Sequence, residues 1–362
     1  KSAAYVCGGF KIGGRMTRKV RIGNLYTGGG ESVKIQSMCT VKTSRTDEVC
    51  AQIAALEKAG CHIIRVSVLD EEDAAAITKI KQHTSMPVVA DIHFSAKLAV
   101  AAIEAGCDKV RINPGNIGGE DKVKLVADCI KAHKIAVRVG SNTGSIEKQF
   151  LQKYGVSASA LVESALSSVG MLEKYGVNDI VISVKASSVP MTFEAYRQLS
   201  GRTDYPLHIG VTEAGTYESA LVKSAAALGG LLLCGIGDTL RVSITGDPVR
   251  EIYAAKSILR AVGLDKNFAD VISCPTCGRC MWNSAALAEK VSAQVIGCKK
   301  PLKIAVMGCV VNGPGEAAEA DIGIAGAKDY CVIFKKGGEV RRVPAQDAER
   351  EFLEEIKKLT DG

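Results

Sequence analysis

The chain has 362 residues, of which 47% are hydrophobic and 23% charged, and its formal net charge is +7. This length predicts two domains of ordinary globular composition, and no apolar run reaches the roughly 18 residues that a membrane span requires. Because aromatic residues make up only 5% and no dense Lys/Arg tract occurs, the positive charge indicates dispersed surface lysines or an anionic small molecule rather than nucleic acid.

Short β-rich runs alternate with amphipathic stretches between residues 32 and 262. The predicted strands are Val33–Met38, His62–Val68, Val88–His93, Lys109–Asn113, Ala136–Gly140, Ile180–Lys185, Leu207–Glu213 and Thr239–Ile244. The predicted helices are Asp47–Ala59, Glu71–Gln82, Ala96–Ala105, Val123–His133, Ala158–Tyr175, Met191–Leu199, Ser219–Leu228 and Pro248–Val262. Eight alternations favour an α/β fold with a (β/α)8 TIM-type barrel over residues 20–264, and an open doubly wound sheet is the alternative. The eighth strand is ambiguous, because Leu231–Cys234 is also β-like.

Polar side chains stand at the carboxyl ends of all eight predicted strands, the face where such barrels place their active sites. They are Gln36, Ser37, Arg65, Ser67, Asp91, His93, Arg111, Asn113, Arg138, Asn142, Lys185, Ser187, Glu213, Arg241 and Ser243. Each alone is compatible with a salt bridge or a rim contact, but five cations around an empty pocket would repel one another. A phosphorylated small molecule relieves that repulsion, and a diphosphate suits the number of cations.

Glu213 is predicted to act as a base or a proton relay in this site. A carboxylate among several cations stays ionised and can therefore accept a proton. The alternative is that Glu213 only balances the charge of Arg241. The turn Arg111–Asn116 adds backbone N–H groups that can face the same ligand.

The pattern changes after Gly263, and residues 265–362 are predicted to form a small α+β domain. A Cys-rich turn is followed by a helix (Ser284–Val295), a strand (Lys303–Met307), a Gly-rich loop and two more short strands. A charged helix, Ala345–Leu359, ends the chain.

The thirteen cysteines do not suggest a disulfide framework, since their number is odd and nothing in the sequence indicates secretion. Several lie in apolar or Ala-rich stretches, where a free cysteine behaves as a small hydrophobic residue. These are Cys39, Cys61, Cys107, Cys129 and Cys234.

Cys274, Cys277 and Cys280 form a C-x2-C-x2-C run, and Cys309 follows in a Gly-rich segment. Such a turn places thiolates on one side of a loop, as zinc and iron–sulfur sites both require. A zinc ribbon would need a second C-x2-C pair or two histidines, and no histidine occurs after His208. The spacing leaves the fourth ligand open among three candidates, which are Cys280, Cys298 and Glu316.

These motifs resemble those of the 4-hydroxy-3-methylbut-2-enyl diphosphate synthase family of the methylerythritol phosphate route to isoprenoids. The segments that carry the likeness are Ser273–Arg279, Gly308–Glu316, Ala320–Gly326, Val89–Phe94, Lys109–Asn116, Val211–Gly215 and Gly235–Arg241. The resemblance extends from about residue 18 to residue 345.

The resemblance implies a TIM-type barrel followed by a sulfite-reductase-like domain. It implies a 4Fe–4S cluster on Cys274, Cys277, Cys309 and Glu316, with Cys280 and Cys298 as bystanders. Its substrate-binding residues would be Arg65, Asp91, Arg111, Asn113, Arg138, Asn142, Lys185, Arg241 and Ser243, and Glu213 and Glu316 would be catalytic.

The implied reaction is the reductive ring opening and dehydration of 2-C-methyl-D-erythritol 2,4-cyclodiphosphate, with electrons from flavodoxin or ferredoxin. The family pairs head to tail as a homodimer, so that the cluster domain of one subunit closes over the barrel of the other. Plant-type members carry an additional domain that this chain lacks, so the resemblance implies a bacterial cytoplasmic enzyme with no nucleic-acid or membrane partner.

One position departs from the family pattern, since Ser141 stands in Arg138–Asn142 where the family has valine. Two rival interpretations remain open from the residues alone. One is a basic zinc-binding module, and the other is a cluster-free phosphate-binding barrel lyase that uses Lys185 as a Schiff-base nucleophile.

Overall fold

Eight parallel strands alternate with helices through the first part of the chain. The computed structural model describes residues 6–7, 10–11, 16–311, 313–336, 338 and 340–361, with the backbone alone described at 6, 7, 10, 11, 314 and 316. Two hairpins come first, formed by β1 (Val6–Cys7) with β2 (Phe10–Lys11) and by β3 (Val20–Ile22) with β4 (Leu25–Thr27). The barrel strands are β5 (Lys34–Met38), β6 (Ile63–Ser67), β7 (Val88–Asp91), β8 (Lys109–Ile112), β9 (Ala136–Asn142), β10 (Ile180–Lys185), β11 (His208–Ile209) and β12 (Thr239–Leu240).

Helices follow each of the barrel strands. They are α1 (Thr46–Ala59), α2 (Glu71–His83), α3 (Ala96–Glu104), α4 (Glu120–His133), α5 (Lys148–Tyr154), α6 (Ala158–Glu173), α7 (Val189–Ser200), α8 (Tyr217–Ser224), α9 (Gly230–Leu233) and α10 (Val249–Ala261). A π-helical segment, Ala225–Gly229, joins α8 to α9. The helices exclude Leu231–Cys234 as a strand, so the eighth strand is the one predicted to begin at Thr239.

The strands form one sheet in the order β10-β9-β8-β7-β6-β5-β12-β11. A parallel bridge between Ile182 and Leu207 joins its two edges, supported by a hydrogen bond from Ile182 N to Pro206 O at 2.9 Å. The predicted (β/α)8 barrel is confirmed. Strands β11 and β12 are much shorter than the sequence predicts, because they pair with each other over only two residues.

Alternate residues of each strand point into the barrel, and their character changes along the strands. At the amino ends, an apolar cluster fills the interior with side chains from the β3 hairpin and four barrel strands. It consists of Val20, Ile22, Ile63, Val89, Ala136 and Val181. Two residues further along, the inward positions are polar, so this cluster is a floor below a polar cavity.

A second unit begins at Asp265, and it has its own hydrophobic core. Its sheet runs in the order β13 (Ala269–Ser273), β14 (Leu302–Met307), β15 (Ile322–Gly326), β16 (Tyr330–Lys335) and β17 (Val340–Pro344). Its helices are α11 (Ser284–Gln294), α12 (Gly313–Glu316) and α13 (Ala345–Asp361). The first three strands are parallel and the last two run antiparallel to their neighbours. Strand β13 and one of the three strands after the Gly-rich loop are not among the sequence predictions.

The two faces of this second sheet are covered differently. Helices α11 and α13 bury one face, through residues such as Leu287, Val291 and Phe352. The other face packs against α12 and the loops around it, where Met307, Ala317 and Phe334 are buried. The Cys-rich segment and the Gly-rich loop therefore meet on a face that no long helix covers.

Candidate active site

The predicted site residues of the barrel strands share one face because their positions match in the strand register. Asp91 pairs with Arg111, and Arg111 pairs with Arg138 on the next strand. Asn142 pairs with Lys185 in the same way. Since these residues alternate with helix-facing neighbours, their side chains point into the barrel at its carboxyl end.

Asp91 is the centre of one charge network. Its Oδ1 lies 3.2 Å from Nη1 of Arg111 and its Oδ2 lies 3.7 Å from Nε of Arg65. His93 also contacts it, at 3.5 Å. Burial would raise the pKa of Asp91, but Arg65, His93 and Arg111 outweigh burial and hold the pKa well below its ordinary value. Asp91 is therefore a permanent anion that can balance one cation.

Glu251 is the centre of the second network, and sequence reasoning missed it. This 2%-exposed side chain on α10 forms two hydrogen bonds with Arg241, at 2.9 and 3.1 Å. Ser37 Oγ and the Ile244 amide also donate to it, at 2.7 and 3.2 Å. Glu251, and not Glu213, therefore balances Arg241. The sequence does indicate that Glu251 is buried, since its spacing places it on the same face of α10 as Ala255 and Ile258.

Several other cations inside the barrel have no carboxylate partner. Arg138 is 1% exposed, Lys185 is 6% exposed and Lys109 is 0% exposed. Nε and Nη1 of Arg138 and Nζ of Lys109 are buried and have no hydrogen-bond partner among the described residues. Lys109, which the sequence prediction also missed, faces inward because it lies two residues before Arg111 on β8.

Burial and mutual repulsion disfavour the charged forms of these groups. Burial first, and then neighbouring arginines, lower the pKa values of Lys109, Arg138 and Lys185 well below their ordinary values. Burial likewise lowers the pKa of Arg65 to about 10, against the opposing effect of Asp91. The lowered pKa values indicate that the cations of the barrel have too few carboxylates near them. Such a site attracts an anion.

The charges that converge in the barrel can be compared directly. Among the described residues the cations are Arg65, Lys109, Arg111, Arg138, Lys185 and Arg241, and the carboxylates that contact them are Asp91 and Glu251. Six cations against two anions leave an excess of four positive charges when every group is ionised. Uncompensated buried charge is costly, and an anionic ligand with several oxygens supplies the missing partners.

The remaining predicted residues lie in the loops above the strands. Asn113 is buried, and its Oδ1 accepts hydrogen bonds from the Gly115 amide and the Ser168 hydroxyl, both at 3.2 Å, so it holds the predicted turn in shape. Asn142 ends β9, where its amide donates to Ser145 Oγ at 3.0 Å. Ser243 is partly exposed in the segment after β12.

Glu213 is exposed, in the segment after β11. Its φ of 52° lies in the left-handed region, which is unfavourable for a residue with a side chain. The backbone on both sides is fixed, by hydrogen bonds from Thr212 N to Ala186 O and from Thr245 N to Gly215 O. The fold therefore imposes an unusual backbone conformation at this carboxylate.

Ser141 does not reach the pocket. It lies between the inward-facing Gly140 and Asn142 on β9, so its side chain points toward the helices, where it is 1% exposed. The departure from the family pattern at this position therefore leaves the barrel cavity unchanged.

In the second unit, the Cys-rich segment and the Gly-rich loop follow neighbouring parallel strands. Cys274 comes directly after β13, and Cys309 lies two residues after β14. The Gly308 amide donates to Cys274 Sγ at 3.0 Å, and a Cβ at Gly308 would approach the sulfurs of both Cys274 and Cys280. The two segments are thus in contact at the carboxyl edge of the sheet.

These segments provide a suitable environment for thiolates. Cys277 is exposed, and hydrogen bonds from the backbone and side chain of Arg279 lower its pKa. Iron is ligated by the thiolate form of cysteine, which accepts hydrogen bonds. The Gly308 amide donates such a bond to Cys274, and Arg279 donates to Cys277. The donors described here therefore fit a thiolate-bound iron–sulfur cluster, although no group of three Cys, His, Asp or Glu residues in the described part of the chain is arranged to hold a metal ion.

The three candidates for a fourth ligand differ in their surroundings. Cys280 Sγ donates to Trp282 O at 3.1 Å, so its thiol has a backbone partner. Cys298 lies between α11 and the amino end of β14, and packs against the core at the opposite edge of the sheet from Cys274. Glu316 ends α12, and its side chain lies outside the described atoms.

Comparisons with known proteins cover almost the whole chain. Residues 17–256 match the model of the GcpE TIM-barrel domain, and residues 270–358 match the model of the GcpE protein C-terminal domain. Within the described residues, no helix has the length and apolar character needed to cross a membrane.

Two curated relatives are similar along nearly their full lengths, and both are named 4-hydroxy-3-methylbut-2-en-1-yl diphosphate synthase (flavodoxin). The protein from Caldanaerobacter subterraneus subsp. tengcongensis is 53% identical over 95% of this chain and 98% of its own. The protein from Ruminiclostridium cellulolyticum is 48% identical, with the same coverage. Among solved structures, dihydropteroate synthase from Yersinia pestis shares the fold, at 11% identity and a TM-score of 0.50 over 68% of this chain and 98% of its own.

Replacing Glu251 by Gln removes a buried charge while keeping the shape of the side chain. We expect the free energy of unfolding to fall by about 3–5 kcal/mol, because Arg241 loses its anion inside the protein. Pyrophosphate in excess should restore part of this loss by supplying negative charge. Urea denaturation followed by circular dichroism measures both effects.

The matched control is Glu163→Gln, which breaks the more exposed ion pair with Arg202. We expect it to cost about 1 kcal/mol or less. If the two variants lose equal free energy of unfolding, then Glu251 stabilises the protein no more than a surface carboxylate does.

Proposed function

The chain belongs to the GcpE family, and from this membership we propose that it catalyses the two-electron reductive ring opening and dehydration of 2-C-methyl-D-erythritol 2,4-cyclodiphosphate. The product is 4-hydroxy-3-methylbut-2-enyl diphosphate, and one water leaves. The names of the relatives support this reaction. The observation that carries the proposal is the excess of four positive charges inside the barrel when every group is ionised, which calls for a ligand with several phosphate oxygens.

In this proposal the barrel binds the diphosphate and stabilises the charge that develops on it. Arg111, Arg138 and Lys185 contact phosphate oxygens, while Arg65 and Arg241 are held in place by Asp91 and Glu251. As the ring C–O bond breaks, its electrons pass to the phosphate oxygen. Cations that are already oriented stabilise that oxygen at no further cost of reorganisation.

The thiolates Cys274, Cys277 and Cys309, with Glu316 as fourth ligand, are proposed to hold a 4Fe–4S cluster. When bound, such a cluster supplies the two electrons one at a time from reduced flavodoxin or ferredoxin. The Gly308 amide donates a hydrogen bond to Cys274 Sγ, and hydrogen bonds from Arg279 lower the pKa of Cys277, which supports the role of these two sulfurs as ligands.

Glu213 is proposed to transfer a proton in the dehydration. Its carboxylate is exposed, and the backbone that carries it is held in an unusual conformation in the segment after β11. A water leaves more easily from a hydroxyl group that receives a proton as its C–O bond breaks, and a relay carboxylate at this position can take up that proton from solvent and pass it on.

The enzyme is further proposed to work in a bacterial cytoplasm and as a homodimer. A bacterial cytoplasm is supported by the twelve described cysteines, none of which forms a disulfide, and by the bacterial origin of the relatives. The head-to-tail homodimer is proposed from the family resemblance, with the cluster domain of one subunit serving the barrel of its partner.

A specific observation favours one rival activity. Burial first, and then Arg138, lower the pKa of Lys185, and a lowered amine pKa favours the unprotonated form that a Schiff-base nucleophile requires. A lyase without a cluster would form an adduct with its carbonyl substrate that borohydride reduces and traps on Lys185. The reductase needs no such adduct.

Metal analysis of the anaerobically purified protein tests the cluster. We expect about four iron and about four acid-labile sulfide per chain, with absorption that dithionite bleaches. Cys274→Ser should remove most of both, and Cys298→Ser, the matched control, should retain them. Zinc without sulfide would refute the cluster and support the zinc-binding module.

Glu213→Gln separates binding from chemistry. We expect turnover to fall about 10²- to 10⁴-fold, the range typical of a lost proton donor or base, with pyrophosphate affinity little changed. Steady-state kinetics with reduced flavodoxin and pyrophosphate titration measure the two effects. The control Glu218→Gln changes an exposed acid on α8 and should keep full activity; an equally active Glu213→Gln would remove Glu213 from the mechanism.

Mixing two inactive variants tests the shared site. Arg138→Met disables the barrel, and Cys274→Ser disables the cluster domain. If one subunit's cluster serves its partner's barrel, then subunit exchange between the two variants should restore up to about a quarter of the normal activity, since half of the dimers are mixed and each has one intact site. No recovery after proven exchange would place both halves of the site in one chain.

A further inference from the structure

A layer of buried polar side chains lies inside the barrel beside the apolar floor, with which three of its members pair in the strand register. Its members are Gln36, Lys109, Arg138 and His208, which come from four different strands. Each has buried side-chain nitrogen or oxygen atoms without a hydrogen-bond partner among the described residues. Buried polar groups in folded proteins are normally satisfied by water or by a ligand, so this layer responds to what binds above it.

Lys109 is the member of this layer that the proposed reaction does not use. It is fully buried, and its amine has no partner in the described structure. It is the first residue of β8, where it pairs with Val89 and Ala136 of the apolar floor, and Arg111 follows it on the same inward face. Lys109 is thus too deep for a rim contact and lies below the residues proposed to hold phosphate oxygens.

The charged and titratable groups of the barrel interior come from every side of the barrel. They are Arg65 on β6, Asp91 on β7, Arg111 on β8, Arg138 on β9, Lys185 on β10, His208 on β11, Arg241 after β12 and Glu251 on α10. Of these, Arg65, Arg138 and His208 act on Lys109 or are acted on by it. Both carboxylates already contact arginines, and His208 Nδ1 contacts Thr239 Oγ1 at 2.8 Å. No anion is therefore left for Lys109 within the described residues.

Arginine and lysine respond differently to this crowding. A guanidinium group keeps its proton, because its ordinary pKa is above 12, whereas an amine can release one. Burial first, and then Arg138, lower the pKa values of both Lys109 and Lys185. The lysines are thus the groups whose charge can change when the surroundings change.

We propose that Lys109, together with Lys185, takes up protons when an anion binds in the barrel mouth, so that the positive charge of the pocket adjusts to the charge of its ligand. This inference rests on the anion site of the proposed function but not on the reaction itself. The empty barrel avoids part of the repulsion among its cations by keeping its amines neutral. A bound polyanion stabilises the protonated amines, and the site thereby favours ligands of higher charge. Lys109 is a positioning residue in this scheme, because it acts on the ligand through Arg138 and the water or ions of the polar layer.

Proton uptake on ligand binding can be measured directly. Sulfate is the probe, because it does not titrate near neutral pH and any proton taken up is bound by the protein. Sulfate is added to the unbuffered protein at pH 7.5 until the sites are saturated, as a binding isotherm shows. The acid needed to return the solution to pH 7.5 then gives the number of protons taken up. We expect net uptake by the unmodified protein, a smaller uptake by Lys109→Met, and no change in Lys34→Met.

Lys34→Met is the matched control because Lys34, like Lys109, is the first residue of a barrel strand. Its amine contacts Ser32 at the surface at 2.8 Å. The same substitution is therefore made at a lysine outside the polar layer. Equal uptake by Lys109→Met and the unmodified protein would overturn the role of Lys109.

The pH dependence of sulfate affinity tests the inference without any substitution, in case Lys109→Met does not fold. Binding linked to proton uptake weakens as pH rises, by up to tenfold per pH unit for each proton taken up. We expect such weakening between pH 6.5 and 8.5 in the unmodified protein. Sulfate binding that does not depend on pH would overturn the inference while leaving the anion site intact. If neither sulfate nor pyrophosphate binds, the anion site fails and this inference fails with it.

Discussion

The barrel contains more buried positive charge than its own carboxylates can balance. Asp91 and Glu251 each pair with arginines at hydrogen-bonding distance, which leaves Arg138, Lys109 and Lys185 without an anion in the described structure. Charges of one sign do not gather in a protein interior unless something stabilises them. The floor of apolar side chains below, the carboxylates at the sides and the open mouth above all follow from the need to hold these cations for a ligand that brings negative charge.

The two units use the same property of parallel strands for different chemistry. In the barrel, residues after or near the strand ends form a pocket rich in cations. In the second unit, the thiol-bearing segments follow β13 and β14, which lie side by side in parallel. Parallel neighbours end at the same edge, so segments that are 35 residues apart in sequence, as Cys274 and Cys309 are, come into contact there through the Gly308 amide. Each unit thus places its reactive groups where loops can vary without disturbing the sheet.

Much of the barrel was predictable because its signals are local. The alternation of strands and helices appears directly in the order of residues, and the polar residues at strand ends are where the fold places chemistry. Errors arose where pairing depends on distant partners. Strand β11 was predicted to reach Glu213, but its ladder stops after Ile209, where its partner strand β12 also ends. Strand β13 has no strong pattern of its own, and it forms because β14 lies beside it.

By itself, the sequence determined which residue types the candidate site can draw on, namely the cations of the strand ends, the three thiols and Glu213, since their places are set by the order of residues. Only the tertiary structure decided which charges neutralise each other. Glu251 lies on a helix ten residues after Arg241 and balances it, whereas Glu213 does not. Lys109 looks like an ordinary strand residue until the barrel closes around it and no anion is near. The reason is physical: the energy of a charge depends on distance and burial, and both are set only when the strands are brought together.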